Sequence, residues 1–130
     1  MSKSVLFVCR SCHITHPKPP DGAILFDHLL TLHQTWSRRL ELDIRPVDCL
    51  WVCAHPCAIA LSCPNKSIYV LAEVPVAEDS IDETVEAVLC LSERYLDSKD
   101  GKIPWKNFPA VLQTDIVAQI PPLPPSFDTR

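Results

Sequence analysis

The sequence predicts an α/β fold with element order β-α-β-β-β-α and an extended proline-rich C-terminal segment. Three observations predict it. Short apolar runs rich in strand formers alternate with two long stretches of helical periodicity. The first two runs are separated by one of those helices, which makes a βαβ unit with parallel strands and a right-handed crossover. Finally, 47% hydrophobic and 22% charged residues in a chain of 130 are enough for one ordinary core.

Val5-Leu6-Phe7-Val8 is too short for a helix and reads as a buried strand. Cys9 to Gly22 holds three prolines and reads as a loop, with Asp21 placed to cap the first helix. From Ala23 to Arg39, Leu25, Leu29, Leu32 and Trp36 recur at helical spacing. Leu42, Ile44 and Val47 suggest the second strand, and Pro46 puts it near an edge or a bend. Ala58–Leu61 and Ile68–Leu71 flank Pro64-Asn65-Lys66 and read as a hairpin. Asp79 or Ser80 caps a second helix through about Leu96, with Ile81, Val85, Val88, Leu89, Ser92 and Tyr95 facing inward. Asp100-Gly101 stops it. Residues 1–100 are expected as the domain. Residues 101–130 are expected as an extension packing on it, ending in polyproline-like chain at Pro121 to Pro125.

Several functions are disfavoured at once. The formal charge of −4 lacks the basic balance of a nucleic-acid binder. No apolar run approaches the ~18 residues of a membrane span, and the N-terminus does not read as a signal peptide. The expected location is the cytoplasm, where thiols stay reduced. With two glycines, a Gly-rich phosphate cradle is unavailable, and no Ser/His/Asp group or carboxylate pair stands out, so an enzyme is not expected.

The seven cysteines carry the chemistry. Cys9-Arg10-Ser11-Cys12 follows strand one, and Cys49-Leu50-Trp51-Val52-Cys53 follows strand two. Parallel neighbours would deliver both loops to the same carboxyl edge, where open α/β sheets bind ligands. Four converging thiolates suit a tetrahedral zinc or an iron–sulfur cluster. Cys57 repeats the spacing of Cys49 and Cys53 and is an alternative ligand. Cys63, ending a hairpin strand, reads as structural. Cys90 lies off the main stripe of its helix and reads as a partly exposed thiol. Cys9-Arg10-Ser11-Cys12-His13 also matches a haem attachment string, but Met1 is the only methionine and Cys49 and Cys53 would be unexplained. A thiol–disulfide oxidoreductase using Cys9 and Cys12 is a further reading. Such motifs sit at a helix N-terminus, whereas here a proline-bearing loop intervenes.

These residues resemble the thioredoxin-like 2Fe–2S ferredoxins. The resemblance covers roughly residues 4 to 97 and rests on Val5-Leu6-Phe7-Val8-Cys9, on Asp48 to Cys53 and on the element order. It is strongest to a bacterial set known only as predicted metal-binding proteins, through Cys49 to Leu61, Asp100-Gly101-Lys102-Ile103-Pro104-Trp105 and Ala118-Gln119-Ile120-Pro121-Pro122. It implies the thioredoxin-like ferredoxin sandwich and a 2Fe–2S cluster held by Cys9, Cys12, Cys49 and Cys53. The implied function is a one-electron carrier or redox-responsive protein with a redox partner protein. A homodimer is plausible by analogy. The first cysteine pair is closer-spaced than in characterised ferredoxins, which keeps Cys57, and zinc, as alternatives. Arg10, His13, Arg45 and His55 are candidate electrostatic tuners, and Trp51 a candidate shield. Residues 73–100 hold nine acids against Arg94 and Lys99, a face that would steer a basic partner or simply be solvated. His33 reads as a packed histidine.

Overall fold

The structure is a computed structural model describing residues 4–9, 21–47, 58–76, 79–113 and 116–122. The elements are β1 (Ser4–Cys9), α1 (Asp21–His33), β2 (Leu42–Val47), β3 (Ile59–Ser62), β4 (Ile68–Leu71), α2 (Ile81–Asp97) and β5 (Ile116–Ile120). They form one five-stranded sheet in the order β2-β1-β3-β4-β5. β1 and β2 are parallel, and β3, β4 and β5 each pair antiparallel with the preceding strand in that order. Pro46 sits on β2, an edge strand, the position in a sheet where proline is tolerated.

Alternation along β1 decides where the helices go. Ser4, Leu6 and Val8 are buried, whereas Val5 and Phe7 are half-buried. Helix α1 packs on β1, β2 and α2, so both helices lie on one face of the sheet. Leu6, Val8, Leu25, Leu29, Leu42, Ile59, Leu61, Leu71, Val88 and Leu91 form one buried core. Each such leucine contributes about 1.5–3 kcal/mol of transfer free energy. All six inward residues expected on α2 are buried, together with Thr84, Ala87 and Leu91.

Helix α1 ends at His33 rather than Arg39. Thr35, Trp36 and Arg39 donate to carbonyls three residues back, so the chain tightens into successive turns. The His33 ring bonds the Leu42 carbonyl through Nε2 at 2.8 Å and lies against Trp36, which ties the helix end to the start of β2. His33 is thus the packed histidine the sequence predicts. Arg38 fixes the same corner, donating to Glu41 at 2.9 Å and to Asp97, at the end of α2, at 2.8 Å. The Glu41 hydrogen bonds raise the Arg38 pKa further and lower that of the Glu41 carboxyl.

The segment after Asp100 completes both layers. β5 is a strand of the sheet, and Ile103, Phe108 and Leu112 belong to the core. The Ile103 amide donates to the Tyr69 hydroxyl at 2.9 Å, and the Phe108 ring meets Tyr69 edge-on at 5.6 Å. Residues 123–130, including most of the expected polyproline end, lie outside the described residues.

Among the described residues two buried hydroxyls, Ser67 Oγ and Thr84 Oγ1, have no hydrogen-bond partner. The Thr84 hydroxyl is buried in the core stripe of α2 and has no hydrogen-bond partner among the described residues. An unmatched buried hydroxyl costs stability, and valine has the same shape without it. Thr84→Val is expected to raise the free energy of unfolding by about 1 kcal/mol, measured by chemical denaturation. A loss of stability would show that the hydroxyl is satisfied.

Candidate metal centre

The β1–β2 ladder sets the geometry of the site. Both strands run the same way, and Cys9, the last residue of β1, stands opposite Val47, the last residue of β2. β3 runs against them and begins at the same edge, where the Cys9 amide donates to the Ala58 carbonyl at 3.0 Å. Cys9 is fully buried there. Val47 and Ala58, which flank segment 48–57, therefore both lie next to Cys9. The cysteines of that segment number three, Cys49, Cys53 and Cys57, and Cys57 immediately precedes Ala58.

Both helices begin at this edge. α1 connects the end of β1 to the start of β2, so its first residue lies on the Cys9 side. β4 is parallel to β1, and α2 follows it in the same sense. Tyr95, near the end of α2, donates to the carbonyl of Ser67, before the start of β4, at 2.6 Å. The chain between β4 and α2 also passes this edge, and Glu73 adopts a left-handed φ of 57° within it. Nothing in the sequence pattern marks Glu73, because left-handed backbone is ordinarily glycine or asparagine.

Of the predicted ligands, the structure places Cys9. Cys12, Cys49, Cys53 and Cys57 lie outside the described residues, as do Arg10, His13, Trp51 and His55. Among the described residues no group of three or more His, Cys, Asp or Glu side chains comes together as a metal site. Arg45 stands opposite Phe7 on β2, exposed, with its guanidinium 3.3 Å from Asp43. Cys63 is buried just past β3, and Cys90 is half-buried on α2, as their sequence positions suggest.

The Asp100–Trp105 motif has a structural role at the opposite edge. Gly101 has φ +81°, and an added Cβ would lie 2.8 Å from both Lys66 Cβ and the Ser67 amide nitrogen. That amide donates to the Asp100 carbonyl at 2.9 Å. Lys66 Nζ donates to the Tyr95 carbonyl at 2.9 Å and lies 5.1 Å from the centre of the Tyr95 ring, capping the end of α2. The Lys102 amide holds the Asp100 carboxyl below its usual pKa, helped by the Ser98 hydroxyl. Burial, then the neighbouring Cys63 and Tyr69, pushes the Tyr95 phenol well up. Sequence reading offered Lys66 only as turn chemistry, because its partners lie some thirty residues away.

A protein-family model described as "Protein of unknown function (DUF1636)" matches residues 6–122. The chain belongs to this family. No curated protein matches the sequence. Among solved structures, a thioredoxin-like [2Fe-2S] ferredoxin from Aquifex aeolicus matches with TM-score 0.53 and 18% identity, covering 90% of this chain and 92% of that one. A wild-type thioredoxin-like [2Fe-2S] ferredoxin from the same organism matches with TM-score 0.48 and 20% identity, over 67% and 85% of the two chains. The first likeness shows that the fold is that of the thioredoxin-like ferredoxins. In the described part of this DUF1636 chain no helix is long and apolar enough to cross a membrane.

Proposed function

We propose that this chain holds a 2Fe–2S cluster and acts as a one-electron carrier or redox-responsive protein of the cytoplasm, not as an enzyme. The observation that carries the reading is the placement of Cys9. It ends β1 beside Val47, two residues before Cys49, and its amide is bonded to Ala58, one residue after Cys57. Two residues of chain span at most about 7 Å, so the cysteine-bearing segment is tethered beside Cys9 at both ends.

The donor set fits the group. Thiolates are the ligands that iron–sulfur clusters take, and the residues that would hold it are Cys9, Cys12, Cys49 and Cys53, with Cys57 as the alternative. When bound, the cluster supplies reversible uptake of a single electron, which adds one negative charge. The chain's own part is to make that charge tolerable. The amino ends of α1 and α2 bring partial positive charge to the same edge. Cys9 lies buried against the core, away from water. Hydrogen bonds from the ligand loops and the side chains of Arg10, His13 and His55 would complete the setting.

The alternatives are a zinc-binding or metal-trafficking module using the same cysteines, and a thiol–disulfide oxidoreductase at Cys9 and Cys12. Anaerobic purification followed by iron and acid-labile sulfide analysis tests the proposal. Equal iron and sulfide, about two of each per chain, is the expected result. One zinc without sulfide would favour the module, and protein that stays colourless after cluster reconstitution would overturn the carrier.

A further inference from the structure

A groove runs between α1 and α2 on the face of the molecule away from the sheet. It has two contiguous parts of about 610 and 460 Å³, which share Leu32, Thr35 and Glu86. Its floor is apolar: Leu32 of α1, Trp36 just beyond it, and Val85 and Leu89 of α2. Its rim is acidic. Asp27, Asp82, Glu86 and Glu93 line it, and all four are exposed. Asp27, Asp82 and Glu86 make no ion pair among the described residues, and Glu93 reaches Arg38 only at 3.9 Å, at the far end. Among the described residues His28 is the sole basic one lining the first part.

We propose that this groove docks a basic amphipathic segment of a partner protein, with apolar side chains at one-turn spacing on the floor and Lys or Arg against the rim. The charge of the rim selects the partner. Carboxylates on both walls repel an acidic segment and attract a basic one, while the apolar floor rewards a segment with an apolar stripe. The length is right for a helix. From Asp82 to Glu93 the rim runs about 16 Å, three helical turns.

Asp82, which lines the first part of the groove, is the second residue of α2, and α2 begins at the sheet edge where β1 ends in Cys9. The docking claim stands without the cluster; the redox role of the partner rests on the carrier reading.

The test is titration of the full-length, isotope-labelled protein with a synthetic helical Leu/Lys amphipathic peptide, followed by amide chemical shifts. Shifts should concentrate on residues of α1 and α2 that line the groove and weaken as salt screens the rim. Asp27→Lys combined with Glu86→Lys should weaken binding at least about tenfold, the effect of reversing two rim charges that face the ligand. Both positions are exposed in mid-helix, and the neutral pair Asp27→Asn with Glu86→Gln, expected to weaken it less, serves if the reversal unfolds the protein. Absence of shifts, shifts scattered over the surface, equal binding of a Leu/Glu peptide, or unchanged affinity in the variants would overturn the proposal. Groove shifts that depend on protein concentration without peptide would also overturn it, in favour of a second copy as occupant. Metal content plays no part in this readout, so it fails or succeeds separately from the cluster.

Discussion

Cys49→Ser is expected to remove the metal centre. After anaerobic reconstitution the variant should hold less than about a tenth of the wild-type iron and sulfide and lose visible absorption, because a missing thiolate leaves the cluster without a soft ligand. Cys9→Ser should do the same. Cys9 ends a strand that is hydrogen-bonded on both sides, so no other residue of β1 can take its place at that edge. Cys90→Ser should keep full metal content, since Cys90 sits half-buried on α2, among residues lining the helix groove. Single substitutions of Cys12, Cys53 and Cys57 identify the remaining ligands: the one that retains the cluster is the bystander. Under the thiol–disulfide reading the pattern differs. Cys49→Ser would leave thiol exchange intact, whereas Cys9→Ser or Cys12→Ser would abolish it. Full iron and sulfide in Cys49→Ser would refute the proposed ligand set.

Gly101→Ala is expected to be the most damaging small substitution outside the core. Its φ of +81° disfavours any residue with a Cβ, at about 1–2 kcal/mol. The added carbon would also lie 2.8 Å from a backbone nitrogen that cannot move without breaking the Ser67–Asp100 hydrogen bond. The ordinary gain of alanine over glycine in the unfolded chain offsets only about 0.4–1 kcal/mol. With about 1–3 kcal/mol for the overpacked contact, the net expectation is a loss of about 3 kcal/mol, or roughly 10 °C in Tm, by thermal and denaturant unfolding. Metal binding should survive under native conditions, because this turn lies at the sheet edge opposite Cys9. A change below about 0.5 kcal/mol would mean that the turn relaxes freely.

That contrast shows what the sequence made legible. β1 was readable because an apolar run of four strand formers is too short for a helix, and Pro46 put β2 near an edge or a bend, of which the structure shows the edge. The β3–β4 hairpin followed from Pro64-Asn65, where Asn65 takes φ 68°. The stripe of α2 was explicit at helical spacing. The strand character of β5 was obscure because Ile116-Val117-Ala118-Gln119-Ile120 does not alternate and ends at a proline pair. It is a strand because β4 offers a partner, a tertiary fact with no local signal. The end of α1 was misplaced because Leu32 and Trp36 continue the helical spacing past His33. The Leu42 carbonyl, nine residues on, determines the turn. The Asp100–Trp105 motif, read as a family signature, is in the structure a packed turn locking α2 to the hairpin. At the candidate centre, parallel strands were legible from the βαβ order and put Cys9 at the carboxyl edge of β1, where the structure has it opposite Val47. The return of the chain to Cys9 through Ala58 depends on β3 pairing directly with β1, which the order of elements alone did not specify.

The most direct test counts electrons. Spectroelectrochemical titration of the anaerobically purified protein is predicted to show reversible uptake of one electron per chain, with bleaching of the visible bands, as a 2Fe–2S cluster between its two redox levels requires. Uptake of two electrons without visible bands would indicate a dithiol, and no uptake would indicate zinc or no metal centre. Either of those results would contradict the account.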